Sequence, residues 1–111
     1  MTVDQSEKID FTTLSKDGKR LALIITDPFS WNDAEETRHH LTMLQAKLNL
    51  YYGFIESDQI LQHYPQARNL QIVIDVAFKH EPNETAVEFL QFVKAETKKD
   101  GIDFTYSVSA D

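Results

Sequence analysis

The side chains here that could move a proton or hold a metal are four histidines, His39, His40, His63 and His80, and a scatter of carboxylates. His39 and His40 are adjacent, so on a helix they point about 100° apart and cannot share an ion as an i, i+4 pair does. Glu36 and His40 do stand at i, i+4 and could co-ligate a metal. The ordinary reading is an exposed side-chain pair on a helix surface, and no metal site is expected. His80 follows a strand-like run, and its neighbours are not legible from spacing. Asp75 sits inside that run, on the side opposite the large aliphatics. In a cleft it would be a general base or an anchor for a basic ligand; the usual place for it is a solvated sheet face. Glu56 and Asp58 flank Ser57, which reads as a helix end followed by a restart. There is no cysteine, hence no thiol nucleophile, and Gly18, Gly53 and Gly101 form no phosphate loop. No Gly-x-Ser-x-Gly elbow presents a serine. These residues predict neither a catalytic constellation nor a cofactor.

Charge narrows the choice of partner. The 111 residues carry 18 acidic and 11 basic side chains, a net charge of −7. Nucleic-acid binding relies on Lys and Arg displacing counterions, so this balance argues against it. From Asp27 to Glu36 stand Asp27, Asp33, Glu35 and Glu36 with no Lys or Arg between them, and Asp100, Asp103 and Asp111 form a second such stretch. Acid in these places serves solubility and helix dipoles; it also suits a surface that attracts a basic partner. No apolar run approaches the ~20 residues that span a bilayer. Met1-Thr2-Val3-Asp4 does not resemble a secretory signal, and the lack of cysteine suits a reducing compartment, so a cytoplasmic protein is expected.

The elements that must position these groups follow from pattern. A chain of this length predicts a single domain, 1–111, with a real core. Ile9 to Ser15 is rich in β-branched and aromatic residues and predicts a strand. Asp17-Gly18 predicts a tight turn, and Leu21 to Thr26 a central strand that Asp27-Pro28 ends. Asn32 as N-cap and Glu35 as its capping-box partner open a long helix over about Asp33 to Glu56. Leu41, Leu44, Leu48, Tyr51, Tyr52 and Ile55 share one face of it. Leu70 to Phe78 alternates as a strand, Asn83 caps a second helix with Ala86, Phe89, Leu90 and Val93 inward, and Ile102 to Val108 closes the chain as a strand. The order ββαβαβ predicts an α+β fold of two layers, a four-stranded mixed sheet with two helices on one face and right-handed crossovers.

The long first helix has more apolar surface than one contact needs. Met43, Leu50 and Phe54 widen its apolar arc beyond the ~100° stripe of a typical surface helix. Either the next segment, Ser57 to Tyr64, covers them as a short helix ending before Pro65, or a homodimer or partner contact does. Its polar stripe, Gln45, Asn49 and Glu56, together with Tyr52, is a candidate cleft. Gln45 or Asn49 is expected to be partly buried and hydrogen-bonded, because amides want partners.

Several segments carry a resemblance. Trp31-Asn32-Asp33, Leu44-Gln45-x-Lys47-x-Asn49, Phe54-Ile55-Glu56-Ser57 and Tyr64-Pro65, with Phe78-Lys79 and Phe89-Leu90 beyond, resemble a family of small bacterial proteins known only as a domain of unknown function. The likeness runs from Ile9 to Tyr106. Pro28-Phe29 before Trp31 departs from that pattern, and so does Asp58, which stands after Ser57 where a small residue is expected. The resemblance implies a fold and supplies no activity.

Two functional readings stay open. One is a non-enzymatic module that binds a protein with a basic surface through Asp27, Asp33, Glu35 and Glu36, for example an immunity protein that neutralises a bacterial toxin domain. The other is a small-molecule binder or enzyme with its cleft beside Gln45, Asn49, Tyr52 and Glu56.

Overall fold

A computed structural model describes residues 11–109. Strand β1 (Phe11–Leu14) and strand β2 (Arg20–Asp27) form a hairpin. Its turn is closed by Gly18, which adopts φ +71, a conformation glycine reaches without steric cost. Beside it the Ser15 hydroxyl and then the Lys19 backbone N–H, both donating to Asp17, hold that carboxyl below the usual aspartate range. Residues Ile9 and Asp10 of the expected first strand lie outside the described residues.

Helix α1 (Ala34–Glu56) follows β2, then the short helix α2 (Gln59–His63) and a 3-10 turn (Pro65–Asn69). Strand β3 (Gln71–Phe78), helix α3 (Glu84–Lys99) and strand β4 (Asp103–Val108) complete the order. The sheet runs β1-β2-β3-β4, with β1 antiparallel to β2 and the other pairs parallel. The two crossovers step in the same direction along the sheet, so right-handed connections put α1 and α3 on one face. Side-chain burial agrees: Leu21, Leu23 and Ile25 of β2 are buried, while Ala22, Ile24 and Thr26 between them are only half-buried. The α+β architecture expected from the pattern is the one found, with α2 and the 3-10 turn inserted in the first crossover.

Two helix starts differ from expectation. Asp33, not Asn32, caps α1; its carboxylate accepts the Glu36 backbone N–H at 2.8 Å. Asn32 instead donates to the Ser30 hydroxyl at 3.2 Å. Asp33, at φ −143, is the extended residue before the helix, and Trp31 two residues earlier is buried. After α1, Asp58 and not Ser57 precedes α2, at φ +65. Aspartate is one of the few residues that tolerate this left-handed geometry, which suits it to a position where a small residue was expected.

The segment after α1 does cover part of that helix's surplus apolar arc. Ile60 of α2 and Phe54 of α1 belong to the same buried cluster, against which Leu61, Tyr64 and Met43 pack. The cluster's centre is Leu44, Leu48 and Tyr51 of α1 with Leu90 of α3, set on Leu23, Ile25, Ile74 and Val76 of the sheet. Leu41 and Ile55, expected against the sheet, are half-buried at its margin. Leu48 is 7% exposed, so Leu48→Ala is expected to cost about 2–5 kcal/mol in chemical denaturation. A loss below about 1 kcal/mol would place Leu48 outside the core.

Candidate functional site

The polar centre of the molecule lies where β2 ends. Asp27 is the last residue of β2, and its side chain falls on the helix-covered face with Leu21, Leu23 and Ile25. Pro28 then breaks the ladder and turns Phe29, Ser30 and Trp31 back toward α1. Asp27 and His40 are 0% and 1% exposed. His40 Nε2 lies 2.6 and 2.7 Å from the two Asp27 carboxylate oxygens, and its Nδ1 lies 3.0 Å from the Ser30 carbonyl. A carbonyl has no proton to give, so Nδ1 carries one and donates it. The Phe29 backbone N–H also donates to Asp27, at 3.1 Å. The indole of Trp31 stacks on the imidazole, with centroids 3.5 Å apart and planes 14° apart, and the Phe29 ring stands edge-on to it at 5.9 Å. The Trp31 Nε1–H reaches the His80 carbonyl at 3.3 Å.

This geometry corrects two expectations. Asp27 is no part of an exposed acidic surface. His40 and Glu36 do not form an exposed pair either: the Glu36 carboxylate accepts the Ser30 hydroxyl, while His40 is buried against Asp27. An aspartate that orients a histidine is half of a hydrolytic triad. In a triad, however, the second ring nitrogen faces a nucleophile, and here it faces a backbone carbonyl. Both nitrogens are engaged and the ring is walled off from water, so the pair ties β2, the following loop and α1 together.

The remaining candidate residues are on the surface. Asp33 and Glu35 are exposed and Glu36 half-buried at the start of α1; Glu81, Glu84 and Glu88 are exposed around the start of α3. The two starts are joined directly, since Asn83, the α3 cap, donates from Nδ2 to the Thr37 hydroxyl at 2.9 Å. Gln45 and Asn49 are exposed, and their side chains have no hydrogen-bond partner among the described residues. The expectation of buried, bonded amides is therefore overturned, because this stripe looks outward between the helices and water can satisfy it. The cleft itself is present. Gln45, Asn49 and Tyr52 line a groove of about 400 Å³ between α1 and α3, opposite Phe89, Phe92 and Val93. Glu56 is exposed at the last turn of α1 and does not line it. A second depression, of about 630 Å³ at the helix starts, shares Gln45 and Phe89 with the first, so the two form one trough along the α1–α3 seam.

Asp75 is half-buried on the face of the sheet away from the helices, where it accepts the Thr105 hydroxyl at 3.0 Å. Lys47 is fully buried, with its Nζ 5.7 Å from the centre of the Tyr51 ring, and the Tyr51 hydroxyl donates to the Ile24 carbonyl at 2.9 Å. The roles of His40 and Lys47 in the core escaped sequence reasoning, although a signal existed. The buried positions of α1 include 37, 40, 44, 47, 51 and 54, an alternation of three and four that marks a single packed seam. Among the described residues no three His, Asp or Glu side chains converge as metal ligands, and no helix is long and apolar enough to cross a membrane.

Fold and surface together define a small two-layer α+β protein whose helical layer carries an open trough with acid at one end. The chain belongs to a family of unknown function, DUF6572, whose model matches residues 1–110. No curated protein and no solved structure matches it.

Proposed function

We propose that this protein is a non-enzymatic, cytoplasmic binding module for a protein partner with a basic surface, the particular case being an immunity protein that neutralises a bacterial toxin domain. The observation that carries the reading is the meeting of two acidic helix starts at one end of the helical layer. Asp33 and Glu35 on α1, with Glu84 and Glu88 on α3, are exposed around the Asn83–Thr37 bond. Arg38 is the basic side chain within the depression there. Such a field draws in a positively charged surface and speeds encounter. Toxin domains that cleave nucleic acid need basic surfaces, and an acidic inhibitor complements them.

The test is capture of a partner from the native host, followed by association kinetics with charge-reversed protein. Asp33 caps α1 and Glu36 holds Ser30, so the cleaner variants are Glu35→Lys with Glu84→Lys, which leave those bonds in place. Association is expected to slow about tenfold at low salt and to lose much of its salt dependence, with an unchanged far-UV spectrum. An unchanged association rate would remove the acidic end from the interface.

The trough supports a second reading, a small-molecule site. Its volume lies within the ~300–1,000 Å³ of ligand pockets, and it pairs apolar walls with a few polar groups, Gln45 and Asn49 among them. A thermal-shift screen in which a metabolite binds, together with a pull-down that recovers no protein, would favour it.

A further inference from the structure

We propose that the partner engages the α1–α3 trough with a basic amphipathic helix, whose apolar face lies along the seam and whose Lys or Arg residues meet the acidic helix starts. This rests on the protein-binding reading above and adds to it the kind of segment bound and where it lies.

Three features point to a helix. The trough is a long channel between parallel neighbours: it runs from Trp31 and Asp33 at the start of α1 to Lys99 and Asp100 at the end of α3. At about 1.5 Å per residue, the 16 residues of α3 give it a length of about 24 Å, matching a helix of similar length. It is also open along its length. The helices are joined at their starts by the Asn83–Thr37 bond, and farther along Gln45, Asn49 and Tyr52 of α1 face Phe89 and Val93 of α3 across it, over Ile74 of β3, which stays 1% exposed beneath them. Finally, its walls are apolar where a partner's side chains would insert. Tyr52, Phe89 and Val93, each half-buried, line it, and Phe92 stands 63% exposed at its edge, the most exposed large apolar residue described. Phe92 extends the apolar wall of the groove into solvent, and helices recognised in grooves place apolar anchors at i, i+3, i+4 and i+7.

Charge selects the occupant. Asp33, Glu35, Glu84 and Glu88 stand around one end of the seam, with Arg38 the base among them, whereas at the other end Lys98 and Lys99 are balanced by Glu96 and Asp100. A bound helix with its bases at the first end and a neutral tail at the second satisfies both. A second copy of this chain fits poorly, because each copy carries −7 and the two acidic ends would repel.

The experiment uses the full chain, isotopically labelled, and two model peptides of about 16 residues patterned for one apolar helical face, one of Leu and Lys and one of Leu and Glu. The Leu/Lys peptide is expected to perturb backbone signals along the seam, at Leu48, Phe89 and Val93, and to become helical as it binds. The Leu/Glu peptide is expected to bind at least tenfold more weakly. Phe92→Ala, at an exposed position that should not disturb folding, is expected to weaken the Leu/Lys peptide about tenfold or more, as loss of an anchor does. Perturbations that map to the open face of the sheet would overturn the proposal, as would equal binding of both peptides, full binding by Phe92→Ala, or seam signals that shift with protein concentration alone, the mark of a second copy. If Glu35→Lys with Glu84→Lys slows the native partner while Phe92→Ala does not weaken it, the acidic binding module stands and the helix-in-trough proposal fails.

Discussion

Replacing Asp27 by alanine is expected to cost this protein about 3–5 kcal/mol, the range for removing one member of a buried hydrogen-bonded pair. The loss comes from what remains. His40 would keep its place, 1% exposed under Trp31, with Nε2 left without a partner, and the Phe29 N–H would lose its acceptor as well. His40→Ala is expected to be about as costly, because it strands the Asp27 carboxylate at 0% exposure. A small domain has only about 5–15 kcal/mol of stability in all, so either variant approaches the limit of folding. The informative control is Asp27→Leu with His40→Leu. The double change removes both stranded side-chain groups, but leucine is larger than aspartate and the Phe29 N–H and Ser30 carbonyl stay without partners, so the double variant is expected to recover part of the loss. Urea denaturation of the four proteins measures all of this. Single-variant losses below about 1 kcal/mol would show that the pair is not made in solution.

Trp31→Ala is expected to cost about 3–5 kcal/mol, as large-to-small changes at buried aromatics do. Trp31 is 8% exposed, packs on His40 and lies 5.9 Å from Phe78, whose ring meets Tyr106 at 5.7 Å. The indole therefore joins the loop after β2 to the ends of β3 and β4. Trp31→Phe keeps an apolar ring in the stack but loses the Nε1–H bond to His80, so a smaller loss is expected. Because Trp31 and His40 are in contact, their variants should not add: a double-mutant cycle is expected to show about 0.5–3 kcal/mol of coupling. Trp31 is the only tryptophan, so its fluorescence follows unfolding of this corner directly in every other variant. Strict additivity would mean that the stack contributes nothing beyond burial.

Much of the fold was legible in sequence because its elements repeat a simple period. Alternation at Leu70, Ile72, Ile74, Val76 and Phe78 gives β3 to within a residue, and Asn83 caps α3 as its chemistry requires, accepting the Ala86 N–H at 2.9 Å. Element order with right-handed crossovers then leaves few topologies, and the one found is among them. The candidate site was less legible. Gln45, Asn49 and Tyr52 were readable as a shared helical face, but whether that face was covered or open depends on how far α3 stands from α1.

Sequence by itself determined which stretches fold as helix and strand, the overall acidity and the absence of a thiol, because these depend on residue type and near-neighbour spacing. Tertiary structure alone decided the fate of the polar residues. Asp27 and Asp33 stand in the same acid-rich stretch, yet one is buried against His40 and the other caps a helix in water. His39 and His40 are adjacent, yet one is exposed and the other buried. The physical reason is that a charged or amide side chain is stable in either place: outside it is solvated by water, and inside it is stable only if a partner distant in sequence supplies the missing bond. For His40 that partner is thirteen residues away across a chain reversal, a distance that only the packing of α1 on β2 closes.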